Sequence, residues 1–505
     1  MALLDIYDGP WGIDEAAHLA RRAGFGARPD ELEALVTAGM DAAVDRFVDY
    51  DPVDEALEAQ INDRPTSTEE NRIRLTEDDG SLQGWWLYRM VHGNQPLQEQ
   101  FTLFLHDTLV SEYAKVSAGV TSSANDGNDG SQANQPCQVA RGLPPDSNRK
   151  RLITVRLMKE QNDLLRQNGH SHYRQLLRRI TRDPGMLIYL DNRQNAKGKP
   201  QENYAREIME LFAMGVGNYT EEDVRAVARA FTGETINAQC SSNWPYSYFF
   251  DVAKHDQNLK TVFGQSFAFS GPGEDTNCVN DLMLDHISYA TEISPAHATL
   301  PAAALYLSWK LLTWFVGESL AKDDPAVAEL GEFLYTNTVA GDVYHLREVL
   351  RKLFKSQFFY RPQYRYTMYK HPADFVVMAL RSLQLQETSY TSQARSFLDR
   401  MGMRLFSPPN VAGWSHGQAW VNSGYLLNRY NYANRLSSSA IATDAWVDNL
   451  LPAGQRNHAA MVEFFGARLI QTALRRQEYV ILYDFLSQIE NSSANATAKY
   501  RRKIR

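Results

Sequence analysis

The chain has 505 residues, of which 44% are hydrophobic, 11% aromatic and 22% charged, a composition typical of a globular protein with a large core. Its formal net charge of -8 argues against a nucleic-acid-binding protein, because neutralising phosphates requires a basic surface. No nucleic-acid partner is therefore expected.

Nothing in the chain is typical of a membrane span or of a secretory signal. No stretch approaches the roughly 20 apolar residues that cross a bilayer. The first residues lack a basic region followed by an apolar core. The sequence as written predicts a protein without a membrane span and a cytoplasmic location.

Helical signals dominate the chain. The stretch "RPDELEALVTAGMDAAVDRFVDY" at 28–50 predicts two short helices, because Pro29 suits a first helical position and Gly39 interrupts the pattern. Further amphipathic helices are predicted over 83–92, 95–115, 149–167, 172–182, 201–213, 220–231, 279–292, 300–318, 325–336, 343–355, 371–386, 390–401, 422–438 and 458–490.

Strand-like alternation is scarce, and "TVFGQSFAFS" at 261–270 is the best candidate for a hairpin. The predicted fold class is mainly α: a large multi-helix globular body with long irregular loops and at most a small β-hairpin. We expect one helical domain over 1–490 and a basic tail over 491–505. Its soft lobes cover 1–115, 149–232, 279–405 and 406–490, with loop insertions at 116–148 and 233–278.

The three cysteines are Cys137, Cys240 and Cys278, and their spacing is not that of a metal site. Cys240 and Cys278 both lie in polar, loop-like sequence. A disulfide between these two residues and free structural thiols are both compatible with this pattern.

The stretch "ENYAREIMELFAMGVGNYTEEDV" at 202–224 begins with an amphipathic helix that places Asn203, Glu207 and Glu210 in one arc. One interpretation is a solvated polar face. The other is a cavity wall, because carboxylates three residues apart can share a metal ion or raise the pKa of one of the pair. On the second interpretation Glu207 and Glu210 are catalytic candidates and Asn203 binds substrate.

Histidines supply two further candidates. His106 in "FTLFLHDTLVSE" lies in an apolar helix and is either a core histidine or a third ligand, with Glu207 and Glu210, for a divalent metal cofactor. The loop "AKHDQNLKTVFG" brings His255, Asp256 and Lys260 together. These three residues would supply a base, an orienting carboxylate and a cation for catalysis.

The stretch "LFSPPNVAGWSHGQAWVN" at 405–422 predicts a rigid loop. Trp414 and Trp420 flank the polar residues Asn410, His416 and Asn422, a combination that suits a sugar or another flat polar ligand. The alternative is that the indoles fill the core and the amides cap backbone groups. Dinucleotide-binding, P-loop, zincin and hydrolase-elbow motifs are absent from the sequence.

Taken together, these stretches resemble the bacterial domain-of-unknown-function family numbered 1800. The motifs occur in the expected order: "AAHLARRAGFG" (16–26), "QNDLLR" (161–166), "DPGMLIYLDN" (183–192), "NYAREIMELFAMGVGNYTEEDV" (203–224), "HDQNLKTVFG" (255–264), "YKHPADFVVMALRSL" (369–383) and "MGMRLFSPPNVAGWSHGQAWVNSGYLLNR" (401–429). The last motif ends at Arg429, which joins the substrate-binding candidates.

The resemblance implies a largely helical protein without an assigned activity. Many members are exported, so an exported protein is the alternative location. Their genes often stand beside those of the family numbered 1501, which implies a protein of that family as a partner. The chain departs from the family pattern at "LHDTL" (105–109), where the pattern has Trp-His-Asn-His-Phe, so a site that needs the second histidine is impaired.

Two functions remain open from the sequence. One is an enzyme with a central polar pocket that uses acid/base or metal-assisted chemistry, hydrolytic or redox, on a small polar or carbohydrate-like substrate. It predicts that polar groups distant in sequence converge. The alternative is a non-catalytic helical binding or assembly protein that acts with a partner protein or polymer. It predicts individually satisfied polar residues and a large exposed apolar patch.

Overall fold

The structure is a computed structural model that describes residues 2–62, 79–120, 148–237, 246–287, 299–385, 388–438, 446, 450–451 and 457–490. The fold is mainly α, as predicted. The predicted tail at 491–505, most of the loop insertion at 116–148, and Cys137 and Cys240 lie outside the described residues, so the Cys240–Cys278 disulfide stays a prediction.

The chain up to residue 237 forms twelve described helices. They are α1 (Ile13–Arg22), α2 (Pro29–Ala38), α3 (Met40–Val48), α4 (Glu55–Asn62), α5 (Asp79–His92), α6 (Pro96–Thr108), α7 (Tyr113–Gly119), α8 (Asn148–Asn168), α9 (Tyr173–Thr181), α10 (Pro184–Tyr189), α11 (Glu202–Glu207) and α12 (Glu221–Ala230).

The remainder of the described chain adds nine more helices. They are α13 (Glu274–Asp285), α14 (Ala302–Phe315), α15 (Pro325–Thr336), α16 (Leu346–Phe354), α17 (Pro372–Ser382), α18 (Thr388–Arg400), α19 (Ser423–Leu436), α20 (His458–Leu469) and α21 (Arg476–Glu490). The two short helices predicted over 28–50 are α2 and α3, whereas the single helix predicted over 458–490 is interrupted between α20 and α21.

The described residues form two small antiparallel sheets. In the predicted hairpin, β3 (Lys260–Val262) pairs with β4 (Gln265–Phe267) through a turn at Phe263 and Gly264, whose φ angles of 50° and 74° suit a tight hairpin. The second sheet, β1 (Glu234–Asn237) with β2 (Ser247–Phe250), was not predicted, because such short strands lack a readable alternation.

One hydrophobic cluster runs from Leu4 to Leu436 and gathers side chains from most of the described helices. A smaller cluster lies between α20 and α21 and contains Leu450, Leu451, Met461, Val462 and Leu486. None of the described helices is long and apolar enough to cross a membrane.

Helix α6 lies inside this body, with every residue from Leu97 to Thr108 buried. Glu99 is its only carboxylate in the first turn, and it faces two arginines that are 1% and 2% exposed. Glu99 Oε1 accepts hydrogen bonds from Arg89 Nε of α5 at 3.0 Å and from Arg166 Nε of α8 at 2.8 Å. Its Oε2 accepts from Arg166 Nη2 and from the indole of Trp86, both at 3.0 Å.

Arg89 and Arg166 offset the desolvation cost of burying the Glu99 carboxylate. Burial opposes ionisation of Glu99, but the charges of Arg166 and Arg89 outweigh it and lower its pKa. The same two guanidinium groups lie over the ring of Trp85, 5.2 and 5.3 Å from its centroid. The cluster therefore ties α5, α6 and α8 together by directional bonds.

Replacing the carboxylate of Glu99 by an amide tests this tie. We expect Glu99→Gln to lower the free energy of unfolding by about 3–5 kcal/mol, because two buried guanidinium groups lose their shared anion. Chemical denaturation followed by circular dichroism measures the change. Glu33→Gln on an exposed position of α2 is the control, and equal stability of the two variants would contradict a structural role for the cluster.

Candidate functional site

A cleft with a volume of about 320 Å³ opens beside α6 and α14. Four indoles line it, together with seven acidic, basic or imidazole side chains, on segments far apart in the sequence. The indoles are Trp309, Trp314, Trp414 and Trp420, and the acidic, basic and imidazole side chains are Arg22, Asp107, Lys310, Glu318, His371, Asp374 and His416.

Helical spacing explains how two helices supply one wall each. On α6, Gln100, Phe104 and Asp107 recur at intervals of four and three residues and so share a face. On α14, Tyr306 and Lys310 recur at the same spacing and face the cleft across from them. The segment before α17 and the loop at 403–420 complete the enclosure.

The first titratable pair is Asp107 with His416. His416 Nε2 lies 3.1 Å from Asp107 Oδ2, the carboxylate is 8% exposed and the imidazole is 53% exposed. Partial burial disfavours the imidazolium form, but the hydrogen bond to Asp107 and its charge outweigh burial and raise the pKa of His416. Asp107 thus orients an accessible imidazole at the cleft mouth.

Gly413 lets the loop approach Asp107 closely enough for this contact. Its φ is +93°, and an added Cβ would lie 2.3 Å from Asp107 Oδ1. The following residue, Trp414, donates its backbone N–H to the same oxygen at 2.7 Å. A side chain at 413 would displace the loop that carries His416.

The second pair is His371 with Asp374, at the start of α17. His371 Nε2 lies 3.0 Å from Asp374 Oδ2, and Gln100 Nε2 of α6 donates to Asp374 Oδ1 at 3.2 Å. Both imidazoles of the cleft lie against one indole: the Trp314 ring centroid is 5.6 Å from that of His371 and 6.0 Å from that of His416.

Lys310 supplies an amine to the same cleft. Its Nζ donates to the backbone carbonyl of Leu211 at 2.9 Å, and it lies 5.1 Å from the ring centroid of Tyr306. Burial lowers the pKa of Lys310 to about 8. A fraction of this amine is therefore neutral near physiological pH.

The carbonyl that accepts from Lys310 belongs to a π-helical turn, Ile208–Ala213, that continues α11. A π turn leaves carbonyl groups out of the regular hydrogen-bond pattern, and side chains complete them here. Leu211 O accepts from Lys310, and Phe212 O accepts from the hydroxyl of Tyr173 at 2.5 Å. The predicted amphipathic helix is thus widened next to the cleft.

The substrate-binding residues predicted between positions 410 and 429 have different surroundings in the structure. Trp414 and Trp420 are 4% and 2% exposed and line the cleft. Asn410 accepts from the Ala412 N–H at 2.8 Å, so it stabilises the loop itself. The remaining two predicted residues act at α19, where Asn422 caps the helix by accepting from Tyr425 N–H at 3.0 Å and Arg429 donates to Lys370 O at 2.7 Å.

Of the three site residues predicted on α11 and its π-helical turn, Asn203 is exposed, whereas Glu207 and Glu210 are half-buried. Asn203 donates to Leu190 O at 3.2 Å, and Glu210 accepts from the Tyr219 hydroxyl at 3.1 Å. Partial burial and the charge of Glu210 raise the pKa of Glu207. Their catalytic and substrate-binding roles stay predictions.

A buried polar network contains His255, Asp256 and Lys260, but their side-chain partners differ from those predicted. His255 Nε2 and Lys260 Nζ lie 3.2 and 2.7 Å from Asp275 Oδ2, with His255 and Lys260 fully buried. Asp256 pairs instead with Arg229 at 2.7 Å. This arrangement ties the excursion at 233–278 to α12 and α13, and a catalytic role for it stays a prediction.

His106 is 1% exposed. Its ring lies 5.4 to 5.6 Å from the rings of Trp86, Phe406 and Trp414, and neither ring nitrogen has a hydrogen-bond partner among the described residues. Burial lowers the pKa of His106 to about 4. Within the described ranges, no group of three or more His, Cys, Asp or Glu side chains is arranged to hold a metal ion. Metal binding at His106, Glu207 and Glu210 stays a prediction.

The convergent residues that sequence reasoning missed are Asp107, Lys310, His371 and Asp374, and His416 was noted as a polar residue of the 405–422 loop without a catalytic role. Two signals pointed towards them. Asp107 directly follows the candidate His106 on the same helix, and His371 and His416 lie in motifs that carry the family resemblance. Some of these residues have partners more than 250 positions away in the sequence. Asp374, for example, accepts a hydrogen bond from Gln100, and the two residues are separated by 274 positions.

The chain belongs to the family described as Protein of unknown function (DUF1800). The sequence model of that family matches residues 18–128 and 147–501, which confirms the resemblance and covers nearly the whole chain. No curated protein and no solved structure matches the chain. Membership of this family does not identify an activity, so the functional proposal rests on the cleft.

The raised pKa of His416 is open to a direct test. We expect Asp107→Asn to lower it, because the amide keeps an acceptor for the Trp414 N–H but removes the charge that favours the imidazolium. Nuclear magnetic resonance of labelled histidine, assigned with His416→Gln, follows the titration. An unchanged titration in Asp107→Asn would contradict the pair.

The same pair has a defined effect on stability. Because the folded pKa of His416 is raised, its contribution is fully present below the unfolded value of about 6.5 and is lost as the pH rises through the folded value. The melting temperature of the wild type should therefore exceed that of His416→Gln at pH 5.5 by more than at pH 9.

Proposed function

We propose that the chain is an enzyme that performs acid/base chemistry on a small polar or carbohydrate-like substrate in the indole-lined cleft. The observation that carries the proposal is the Asp107–His416 pair, in which a buried carboxylate holds an accessible imidazole at the cleft mouth. Such a pair can take a proton from a hydroxyl or a water molecule and return it to a leaving group.

The chemistry can be assigned residue by residue. His416 exchanges the proton, and Asp107 stabilises the imidazolium that forms. Lys310 and His371 supply further polar groups in the lining of the same cleft, where they would bind substrate oxygens. A ligand inside the cleft displaces water, which strengthens each of these interactions.

The indoles support a substrate with a flat or ring-shaped apolar face. Four tryptophans line one cleft of about 320 Å³, a size suited to a small molecule. Indole faces pack against sugar rings while polar groups at the cleft rim bind hydroxyls. This combination favours a carbohydrate-like substrate and a hydrolytic reaction.

Turnover of chromogenic substrates tests the proposal. Purified protein is assayed with a panel of p-nitrophenyl glycosides and p-nitrophenyl esters, and release of p-nitrophenol is measured. We expect His416→Gln to lower kcat by about 10²- to 10⁴-fold, the usual contribution of general acid/base catalysis. Asp107→Asn should lower it as well, because the imidazolium loses its partner.

The control is His458→Gln, which alters a histidine on α20, outside the residues that line the cleft. Circular dichroism confirms that each variant folds. Turnover that survives in His416→Gln, or a wild type that cleaves no member of the panel, would contradict the proposal for this substrate class.

A second candidate function is a binding or assembly role, favoured by apolar side chains on the two helices α19 and α21. On α21, Val480, Ile481 and Phe485 are 46%, 61% and 58% exposed. On α19, Leu427 and Tyr430 are 59% and 69% exposed. Exposed apolar surface of this kind is typical of protein interfaces.

Sedimentation equilibrium tests this second function, with another copy of the chain as the partner. We expect the wild type to self-associate at micromolar concentration and the double variant Ile481→Glu/Phe485→Glu to remain monomeric, because charges on the surface oppose apolar burial. Val216→Glu, at a residue that is 67% exposed outside both helices, is the control. A monomeric wild type would contradict self-assembly through α21.

A further inference from the structure

A second cavity, of about 310 Å³, lies on the opposite side of Arg22 from the cleft. Three cationic side chains line it, Arg21 and Arg22 from α1 and Lys370 from the segment before α17, against the single carboxylate of Asp374. Apolar and aromatic side chains of Phe25, Tyr364, Tyr366, Met368 and Met378 form much of the remaining wall.

The carboxylate in the wall is engaged with other partners. Asp374 Oδ1 accepts from Gln100, and its Oδ2 lies 3.0 Å from His371. Both partners belong to the lining of the cleft, not of the second cavity. Among the described residues, no carboxylate lies within 4.0 Å of the charged nitrogens of Arg21, Arg22 or Lys370. The cations of the cavity therefore lack an anion of their own.

Two of these cations have donors without an adequate acceptor. Arg21 Nη2 is buried and has no hydrogen-bond partner among the described residues. Lys370 Nζ donates to the thioether sulfur of Met378 at 2.8 Å, and sulfur is a weak acceptor. An unpaired buried donor is costly, and a cation more so.

The other cationic groups increase the positive potential but are already bonded. Arg22 donates to the backbone carbonyls of Phe315 and Trp314, which satisfy its hydrogens without neutralising its charge. Arg429 approaches from α19 and donates to Lys370 O at 2.7 Å. Burial lowers the pKa of Lys370 to about 8 and that of Arg22 to about 10, although the charge of Asp374 favours the cationic form of both groups.

We propose that this cavity binds a small multivalent oxyanion, such as sulfate or phosphate, through Lys370 Nζ and Arg21 Nη2. The oxygens of the anion would accept from both free donors and neutralise the excess positive charge. His18, the histidine of the lining, bonds to Phe359 O at 3.0 Å through Nε2, and burial lowers its pKa, so it adds no charge. The site is distinct from the proposed catalytic pair and does not depend on it.

Sulfate is the first probe, because its charge is constant across the relevant pH range. Isothermal titration calorimetry of the full chain at constant ionic strength, maintained with chloride, measures its affinity. We expect Lys370→Met to weaken sulfate binding by about 10- to 100-fold, the effect of losing one charge-assisted hydrogen bond. Arg21→Met is the second variant and should weaken binding similarly. Lys352→Met on α16 is the matched control and should bind as the wild type does.

The melting temperature supplies an independent readout. The loss of Lys370 should weaken sulfate binding, but it should not lower the melting temperature of the sulfate-free protein. Without sulfate, Lys370→Met should melt at the same temperature as the wild type or higher, because it removes a buried charge that lacks an anion. With sulfate, the melting temperature of the wild type should rise and that of Lys370→Met should not. A structural lysine would instead lower the melting temperature under both conditions.

Binding of phosphate and acetate tests which kind of anion the cavity accepts. Inorganic phosphate should bind as sulfate does, and acetate should bind at least tenfold more weakly, because a single charge neutralises less of the cavity. A wild-type response to sulfate no larger than the response to chloride, equal binding of acetate, or full sulfate affinity in both Lys370→Met and Arg21→Met would overturn the proposal. None of these outcomes bears on turnover by His416.

Discussion

The buried carboxylate of Glu99 is the interaction on which the rest of the structure depends. Helix α6 is enclosed on all sides, and an enclosed helix has no solvated face to accommodate a charge. Arg89 and Arg166 provide two charged partners with good geometry, so the cost of burying all three groups is offset by four directional hydrogen bonds, one of them from Trp86. Apolar packing alone would hold α6 inside the body without setting its rotation.

The rotation of α6 in turn determines the cleft. Glu99 and Gln100 are neighbours on one helix, so the bonds that point Glu99 towards α5 and α8 direct Gln100, and one and two turns later Phe104 and Asp107, towards α14 and α17. Asp107 then fixes the 403–420 loop through the Trp414 N–H, and the loop delivers His416. One helix thus positions both a structural ion cluster and a candidate catalytic pair.

The sequence predicted the fold more fully than the site, for a physical reason. Helical periodicity and capping signals are local, and they identified most described helices, including α2, α3 and the helix that carries Glu207. Partner choice in a buried polar network is not local. His255 is beside Asp256 in sequence yet lies against Asp275, and Asp107 finds its imidazole on a loop some three hundred residues away. The π turn at Ile208–Ala213 was equally hidden, because its register depends on Lys310 and Tyr173 from other helices.

The wall between the two cavities explains how one molecule holds two polar sites with opposite electrostatic needs. Arg22, Met368 and Asp374 line both cavities, but Asp374 accepts a hydrogen bond from Gln100 of the cleft, and its other oxygen lies 3.0 Å from His371. This orientation leaves the cleft with paired carboxylates and imidazoles suited to proton transfer. It leaves the other side of the wall with cations that have no anion. The direction of one carboxylate therefore separates the proposed proton-exchanging site from the proposed anion site, and that direction again originates in the rotation of α6.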